Sequence, residues 1–330
     1  MPISMHSHSG QFCAHAKGNL EEVVQEAINK KFLIYGLSEH CPRYRVKDLY
    51  PEESHLHPSD LYKTFKEYVI EARRLQSKYN SEIKLIIGLE SEAITINTAS
   101  NEISKLVREF QLDYVVGSVH HVFEVPIDID SETFERALEE AEVEGKKINY
   151  NNDGKSDDNN IKNSSDSREE ILFSAYFDAQ YKILCEIKPT IVGHFDVIRI
   201  FRPTWKFGTR VWEKVVRNVE FVVSYGGLFE LNSSGWKKGL TDAYPQRDIL
   251  ELIIKKGGKF TISDDSHGPT SVGQNYDKLY KYLKEFQIDT IYYLDHEYDK
   301  DGKKLVVKKS LKNILSHPFW QQFISSADSR

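Results

Sequence analysis

Cysteine is scarce in this 330-residue sequence, and long apolar runs are missing. The three cysteines, Cys13, Cys41 and Cys185, lie too far apart for a disulfide framework or a Cys-x-x-Cys zinc site, and such usage fits a reducing compartment. No apolar run reaches the roughly 18 residues of a membrane-spanning helix. His6 and His8 arrive before any apolar signal-peptide segment can form, so we expect a cytoplasmic protein that does not contact a membrane.

A basic stripe is also missing. The sequence has 44 Lys and Arg against 50 Asp and Glu, a net charge of -6, and the two signs are interspersed. We therefore expect no nucleic-acid partner, because binding to a phosphate backbone requires clustered positive charge. Forty per cent of the residues are apolar, enough for a sizeable core. The length suits a single α/β barrel, and we predict one domain over residues 1–330.

Short apolar runs alternate with longer amphipathic stretches along the chain. The predicted strands are 3–8, 33–40, 85–90, 114–120, 190–194, 228–232 and 260–265. Their nearly continuous apolar character is typical of a parallel sheet buried on both faces. Helices are predicted to begin near Asn19, where Glu22 completes a capping box, near Ser59 and near Glu169. This alternation predicts an α/β barrel or a doubly wound sheet.

One stretch interrupts the alternation. From about residue 139 to 168 the sequence is rich in Asn, Asp, Ser and Lys, with only isolated apolar residues. Such a segment buries too little apolar surface to offset the entropy lost on ordering. We interpret it as a disordered polar insertion in a loop of the same domain, since strands and helices resume after it.

Polar side chains follow every predicted strand. The residues concerned are His6/His8, Glu39/His40, Glu90/Glu92, His120/His121, His194/Asp196, Asn232 and Asp264/Asp265/His267. The carboxyl ends of the strands in a parallel barrel converge on one face, where active sites are built. The sequence therefore predicts a site rich in metal ligands at that face.

The first and last strands carry the most specific pairs. His6-Ser-His8 alternates, so both imidazoles project to the same side of a strand, as chelation of one ion requires. Asp265-Ser-His267 repeats this spacing near the other end of the chain. A similar pair, His55-Leu-His57, has no strand before it, and we expect it to bind nothing.

These motifs together resemble the PHP (polymerase and histidinol phosphatase) family. The order His-x-His, His15, Glu-His40, Gly-Leu-Glu90, Gly-Ser-Val-His120, Gly-His194-Phe-Asp and Asp265-x-His267 carries the resemblance. Ser-Glu-His-Cys-Pro at 38–42, Gly-His-Phe-Asp and Leu-Asn-Ser-Ser-Gly are similar to the histidinol-phosphatase branch, and the tail ending in His-Pro-Phe-Trp resembles its fungal form.

The resemblance implies a distorted seven-stranded (β/α) TIM-like barrel with three divalent metal ions at the C-terminal face. One ion would take His6, His8, Glu90 and Asp265. A second would share Glu90 and add His120 and His194, and a third would take His15, His40 and His267. Mainly imidazole ligation favours Zn, Fe or Mn over Mg and Ca.

The implied activity is hydrolysis of L-histidinol phosphate in histidine biosynthesis, with a metal-bridging hydroxide attacking phosphorus. We assign catalytic roles to Glu90, Asp265 and His194. Arg199, Lys237 and Arg43 are the candidates for binding substrate. At 236–237 this chain has Trp-Lys where relatives often have Leu-Arg, and lysine lacks the bidentate fork that suits phosphate.

Three other functions remain open from the sequence. Another PHP phosphoesterase would act on a different phosphate monoester or on a nucleic-acid end. A non-catalytic scaffold would bind metal without hydrolysing an ester. An amidohydrolase barrel would cleave C–N bonds, although no metal-bridging lysine is visible at a strand end.

Overall fold

The structure is a computed structural model that describes residues 2–321 apart from 93, 95, 153–166 and 303. Its strands are β1 (Ile3–Ser4), β2 (Ser7–His8), β3 (Ile34–Leu37), β4 (Lys84–Glu90), β5 (Tyr114–Gly117), β6 (His121–Val122), β7 (Val125–Pro126), β8 (Ile191–Val192), β9 (Leu228–Asn232), β10 (Lys259–Ser263), β11 (Ser266–His267), β12 (Thr290–Tyr298) and β13 (Lys304–Lys312). Seven of them form one parallel sheet in the order β1-β3-β4-β5-β8-β9-β10. The seven predicted strands are thus confirmed.

The two outer strands of this sheet meet, so the sheet curls into a nearly closed barrel. Beyond them, β2 and β11 pair in parallel, with Ser7 opposite Ser266 and His8 opposite His267. The Ser4 hydroxyl donates to the Asp264 carboxylate at 2.8 Å across the same junction. The predicted seven-stranded α/β barrel is confirmed, and its closure places the first and last ligand pairs side by side.

Two strand glycines make room inside the barrel for one aromatic ring. The Tyr114 hydroxyl donates to the carbonyl of Met5 at 2.9 Å. A Cβ at Gly36 would lie 2.4 Å from that hydroxyl, and one at Gly88 would lie 2.6 Å from the ring. Both distances are shorter than atoms can approach, so glycine is required where β3 and β4 pass Tyr114.

Helices connect the strands on the outside. They are α1 (Leu20–Asn29), α2 (Pro58–Lys78), α3 (Ile96–Phe110), α4 (Ser131–Asn152), α5 (Arg168–Ile187), α6 (Thr209–Tyr225), α7 (Ser234–Lys237), α8 (Arg247–Lys255) and α9 (Tyr276–Glu285). The capping box predicted for α1 is present, since the Asn19 side chain accepts from the Glu22 N–H and the Glu22 carboxylate accepts from the Asn19 N–H. The other two predicted starts differ from the observed ones by one residue.

The predicted insertion at about 139–168 needs correction at both ends. Helix α4 continues to Asn152, and α5 already begins at Arg168. Phe134, Ala137, Leu138 and Ala141 are buried at helical spacing, so the polar composition lies on the other faces of α4 and does not prevent it from forming. The remainder of the prediction, 153–166, lies outside the described residues.

A hairpin follows α9. Strands β12 and β13 pair antiparallel, with Thr290 opposite Lys312. Its His296 lies 3.4 Å from the Asp113 carboxylate at the amino end of β5, so it packs far from the ligand face. None of the helices in the described ranges is long and apolar enough to cross a membrane.

Candidate metal centre

A cavity of about 400 Å³ opens at the carboxyl ends of the barrel strands. The lining residues include His15, His40, Glu90, His120, His194, Asp265 and His267 from the predicted ligand set, together with Tyr50, Glu52, Asp128, Ser234, Lys237 and Lys238. Strand ends that are far apart in sequence thus converge on one cavity, as the parallel arrangement predicts. The volume suits a small molecule.

Glu90 lies at the centre of this group. It ends β4 and is buried, and a backbone bridge aligns it with His40 at the end of β3. Its Oε2 atom faces His6 Nε2 at 3.2 Å, His8 Nε2 at 3.3 Å and His40 Nδ1 at 3.1 Å. Its Oε1 atom faces His120 Nε2 at 3.3 Å and His194 Nε2 at 2.9 Å. One carboxylate therefore addresses two sets of histidines, one with each oxygen, which is the arrangement of a bridging ligand.

Asp265, which follows β10, approaches two of these histidines, His6 and His8. Its Oδ1 atom lies 3.6 Å from Nε2 of both His6 and His8, which are themselves 3.1 Å apart. Asn232 and Ser234 donate to its other oxygen at 3.2 and 3.1 Å. Its φ of 46° lies in the left-handed region, which a non-glycine residue adopts at some cost. Two side-chain donors thus fix the orientation of the carboxylate.

Three histidines have a carboxylate on the ring nitrogen that faces away from Glu90. Nδ1 of His6 lies 2.8 Å from Glu230, Nδ1 of His120 lies 2.8 Å from Asp128, and Nδ1 of His8 lies 3.3 Å from Glu39. A carboxylate there accepts the Nδ1 proton, so that Nε2, once deprotonated, directs its lone pair at an ion. Each ring is therefore oriented as a metal ligand.

Sequence reasoning missed two of these carboxylates, Glu230 and Asp128. Glu230 lies two residues before Asn232 in β9, so the two side chains project to the same side, and this alternation could have identified it. Asp128 follows the short β6–β7 hairpin, and nothing in the local pattern distinguishes it from other loop carboxylates.

A second concentration of ligands lies at the cavity edge. His15, His40 and His267 come together as predicted, with the ring centre of His15 5.3 Å from that of His40 and 5.2 Å from that of His267. The Sγ atom of Cys13 joins them, 3.1 Å from His15 Nε2. This cysteine was not among the predicted ligands.

The donor set fits divalent metal ions. Nδ1 of His40 faces Glu90 and Glu92, but its Nε2 atom has no hydrogen-bond partner among the described residues, although it is shielded from solvent. Buried polar atoms are rarely left without a partner, so this nitrogen indicates a group that completes the site. The abundance of imidazole favours Zn, Fe or Mn over ions that prefer all-oxygen ligands.

Carboxylates and imidazoles in this cluster stabilise one another's charged forms. Burial raises the pKa of Glu90, but His6, His120 and His40 outweigh it and hold the pKa well below its usual range. Burial lowers the pKa of His8, but Glu39 and Glu90 raise it to about 9. An ion that enters the cluster must therefore displace protons from imidazoles.

Of the predicted substrate-binding residues, some line the cavity and others do not. The assignment of Lys237 as a substrate ligand stays a prediction, although the residue lines the cavity, as does Lys238. Arg199 does not, and this prediction was wrong: its guanidinium is buried, donates to Gln246 at 2.9 Å and to Asp248 at 2.7 Å, and stacks on Phe207. A turn of 3₁₀ helix directs it into the packing around α8.

Arg43 is also buried away from the main cavity, which corrects its assignment. It donates to Glu92 at 3.1 Å and to Glu53, and lies 4.2 Å from the ring centre of Tyr50. Glu92 in turn lies 3.0 Å from His40 Nδ1. Arg43 therefore supports the carboxylate beside a candidate ligand.

His121 and His57 contribute to packing and to a helix end. His121 stacks on Tyr50, with ring centres 6.1 Å apart, and belongs to no group of candidate ligands in the described part of the chain. His57 is the N-cap of α2, and its N–H donates to Asp60. His55 and His57 are not among the residues that line the cavity in the described part of the chain, and the expectation that they bind nothing stays a prediction.

Comparison with known proteins agrees with this geometry. A family profile described as the PHP domain matches residues 4–234. The chain is 43% identical to a protein of Schizosaccharomyces pombe named "Probable histidinol-phosphatase", covering 99% of this chain and 98% of the relative. It is 33% identical to the histidinol-phosphatase of Saccharomyces cerevisiae, covering 96% and 98%.

A solved structure shares the fold. It is the histidinol phosphate phosphatase of Lactococcus lactis in complex with zinc, L-histidinol and phosphate, with a TM-score of 0.60 at 19% identity, covering 86% of this chain and 93% of that one. The profile match over most of the chain, the fungal relatives and the convergence of the His-x-His, Glu90 and Asp265-x-His267 motifs lead to one conclusion: the chain belongs to the PHP domain family.

Proposed function

We propose that this protein is a metal-dependent phosphatase that hydrolyses L-histidinol phosphate to L-histidinol and inorganic phosphate, a step of histidine biosynthesis. The observation that carries the proposal is that the buried Glu90 directs one oxygen at His6 and His8 and the other at His120 and His194. The substrate follows from the fungal relatives, which are named for this activity, and from the L-histidinol and phosphate bound in the Lactococcus lactis protein.

Three divalent ions would occupy the centre. His6, His8, Glu90 and Asp265 would hold one, Glu90, His120 and His194 a second, and His15, His40 and His267 a third. Bound ions supply positive charge for a phosphate dianion and lower the pKa of coordinated water, which is the chemistry that ester hydrolysis at neutral pH needs. The zinc in the Lactococcus lactis protein and the imidazole-rich donor set favour zinc here.

The protein's own residues would position the substrate. Lys237 and Lys238, at the end of α7, line the cavity and offer ammonium groups to the phosphate oxygens. Glu52 and Asp128 also line the cavity, where their carboxylates can attract the positively charged amine of histidinol. The cavity thus carries cationic and anionic groups, as a substrate with both charges requires.

One catalytic domain would account for this site. Ligands come from β2, early in the chain, and from β11, late in the chain, and these two strands pair with each other. Both must be in place before the ligand set is complete. The whole barrel therefore acts as a single unit.

The test is phosphate release from L-histidinol phosphate by protein stripped of metal and reloaded with Zn²⁺ or Mn²⁺, beside an aryl phosphate and a chelated control. We expect rapid, metal-dependent release with a clear preference for L-histidinol phosphate. Release from the aryl ester alone would keep the phosphatase chemistry and reject the substrate. Inactivity of fully metallated protein on both esters would reject the enzyme in favour of a metal-binding scaffold.

A further inference from the structure

The third group of ligands has a donor beyond its three histidines. Cys13 lies in the turn between β2 and α1, and its N–H donates to the carbonyl of Ser9 at 2.9 Å. This turn places Sγ 3.1 Å from His15 Nε2. The four donor atoms of Cys13, His15, His40 and His267 all lie within 4.8 Å of one another.

We propose that the Cys13 thiolate is the fourth protein ligand of the third ion, so that this position is a Cys-His₃ site distinct in chemistry from the other two. The inference rests on the proposed function only in that it assumes an ion at this position. It assigns that ion a sulfur ligand, which neither the other two positions nor the residues matched by family resemblance supply.

The separations suit one tetrahedral ion. Bonds of ~2.3 Å to sulfur and ~2.0–2.1 Å to nitrogen hold donor atoms roughly 3.3–3.6 Å apart. The pair Cys13 and His15 is already close to that spacing. All pairs lie within 4.8 Å, so no pair has to close by more than about 1.5 Å to reach that spacing.

A second observation agrees with this assignment. A small cavity of about 30 Å³ is lined by Cys13, His15 and His40, and also by Cys41, whereas His267 is not among its lining residues. It has the size of one water molecule or one ion. Cys13 and His40 therefore border space that a single atom can occupy, and Nε2 of His40 has no hydrogen-bond partner among the described residues.

The consequence is a difference in metal preference within one centre. Thiolate is a soft ligand that selects zinc and iron over manganese and magnesium, whereas a carboxylate- and imidazole-only position accepts several divalent ions. We therefore expect the third position to retain Zn²⁺ when the other two are exchanged for Mn²⁺.

The chain supplies matched controls in its other two cysteines. Cys41 is buried like Cys13, but its Sγ accepts from the Glu92 N–H at 3.3 Å and belongs to no ligand group in the described ranges. Cys185 is exposed on α5. Serine at either position should leave the metal centre unchanged.

The experiment is reconstitution of the full-length, metal-stripped protein with Co²⁺, followed by its near-ultraviolet and visible spectrum and the cobalt content per chain. We expect a thiolate-to-cobalt charge-transfer band in the wild type, in Cys41→Ser and in Cys185→Ser, and its loss in Cys13→Ser. Cobalt should also leave Cys13→Ser more readily. The affinity at this position should fall by at least the ~10–100-fold that loss of an outer partner of a ligand costs.

The outcomes separate this proposal from the proposed function. A cobalt-loaded wild type that hydrolyses L-histidinol phosphate but shows no charge-transfer band overturns the cysteine ligand alone. Persistence of the band in Cys13→Ser does the same. A band that depends on Cys13 in a protein inactive on every ester supports the ligand and rejects the phosphatase. Failure of the wild type to bind cobalt overturns both, and the wild-type spectrum decides even where Cys13→Ser does not fold.

Discussion

Glu230 accepts a hydrogen bond from Nδ1 of His6 at 2.8 Å, beneath the ligand cluster and buried from solvent. The same carboxylate accepts from the backbone N–H of His194 at 2.8 Å and from Asn232 at 3.1 Å. Burial raises its pKa, but His6 and His194 outweigh that effect and lower it, so the group is ionised. One buried carboxylate therefore orients the side chain of His6, a ligand of one proposed ion, and binds the backbone of His194, a ligand of another.

Exchange of Glu230 for Gln should weaken metal binding more than it weakens the fold. The amide cannot hold His6 in the same tautomer and accept the other donors at once, so we expect a ~10–100-fold loss in metal affinity. Titration of the stripped protein with Zn²⁺ against a competing chelator measures it. Glu220→Gln, at an exposed carboxylate paired with Lys256, is the control. Equal affinities in the two variants would remove the positioning role.

Exchange of Glu90 for Gln should nearly abolish turnover. An amide offers one oxygen where the carboxylate offers two, so both sets of histidines lose their shared anion. We expect kcat to fall by more than the ~100-fold upper range for loss of an outer partner, together with fewer ions per chain. Activity with L-histidinol phosphate and elemental analysis of the same preparation measure both effects. Turnover close to the wild type would reject the bridging assignment.

Exchange of Lys237 for Ala should impair substrate binding without affecting stability. A contact between an ammonium and a phosphate contributes about 1.5–3 kcal/mol, which corresponds to roughly 10–100-fold in kcat/KM. The expected change is a higher KM for L-histidinol phosphate, with an unchanged midpoint of unfolding. A steady-state profile that matches the wild type would show that Lys238 alone, or neither lysine, holds the phosphate.

Exchange of Arg199 for Ala should give the opposite result. Its guanidinium binds Gln246 and Asp248 and stacks on Phe207, away from the cavity. We expect a loss of about 1–3 kcal/mol in the free energy of unfolding, because Gln246 loses its buried partner. Denaturant unfolding and KM, measured on one preparation, test this. A raised KM at unchanged stability would return Arg199 to the list of substrate ligands.

Asp113 gives a pH dependence that is independent of the metal centre. Burial raises its pKa, but His296, the Ile87 N–H and Arg73 lower it below the ordinary value. A depressed pKa stabilises the fold above the unfolded-state pKa of ~3.9, and this contribution is lost as pH falls through the folded-state pKa. The free energy of unfolding of the wild type should therefore exceed that of Asp113→Asn by about 1–3 kcal/mol at pH 7.

The measurement is the free energy of unfolding of both proteins at pH 7 and at about pH 3, near the ordinary aspartate pKa. The difference between them should shrink at the lower pH. Loss of metal in acid affects both proteins equally and cancels in the difference. A gap that stays constant with pH would show that Asp113 acts through packing and not through its charge.

The sequence was most informative where local pattern and global fold agree. Apolar runs ending in His or Glu predicted both the strands and the convergence of Glu90 with its histidines, because parallel strands place their carboxyl ends together. The capping box at Asn19 needs only four residues and was predicted correctly. Helix α4 was missed in part, because its buried stripe was outweighed by a polar composition averaged over all faces.

The direction in which a side chain points, and the residue that it contacts, could not be predicted from the sequence. Arg199 follows a strand end, as a substrate ligand would, but a 3₁₀ turn directs it to Asp248, a partner 49 residues away in the chain. The alternation of Glu230 with Asn232 in β9 marks the side on which it projects, but its partner His6 lies 224 positions away and is shown only by the structure. Such pairings depend on tertiary geometry that no local window contains.

The seam that closes the barrel has a consequence for biogenesis. Ser4 and Asp264 are 260 residues apart in sequence and hydrogen-bonded, and His8 lies opposite His267 on the paired strands. During translation, the chain emerges amino end first. His6 and His8 are therefore synthesised early, and Asp265 and His267 follow only when almost the entire barrel has left the ribosome. The ligand set of the proposed ions is therefore completed late, and chains that stop before this seam carry His6 and His8 without Asp265 and His267.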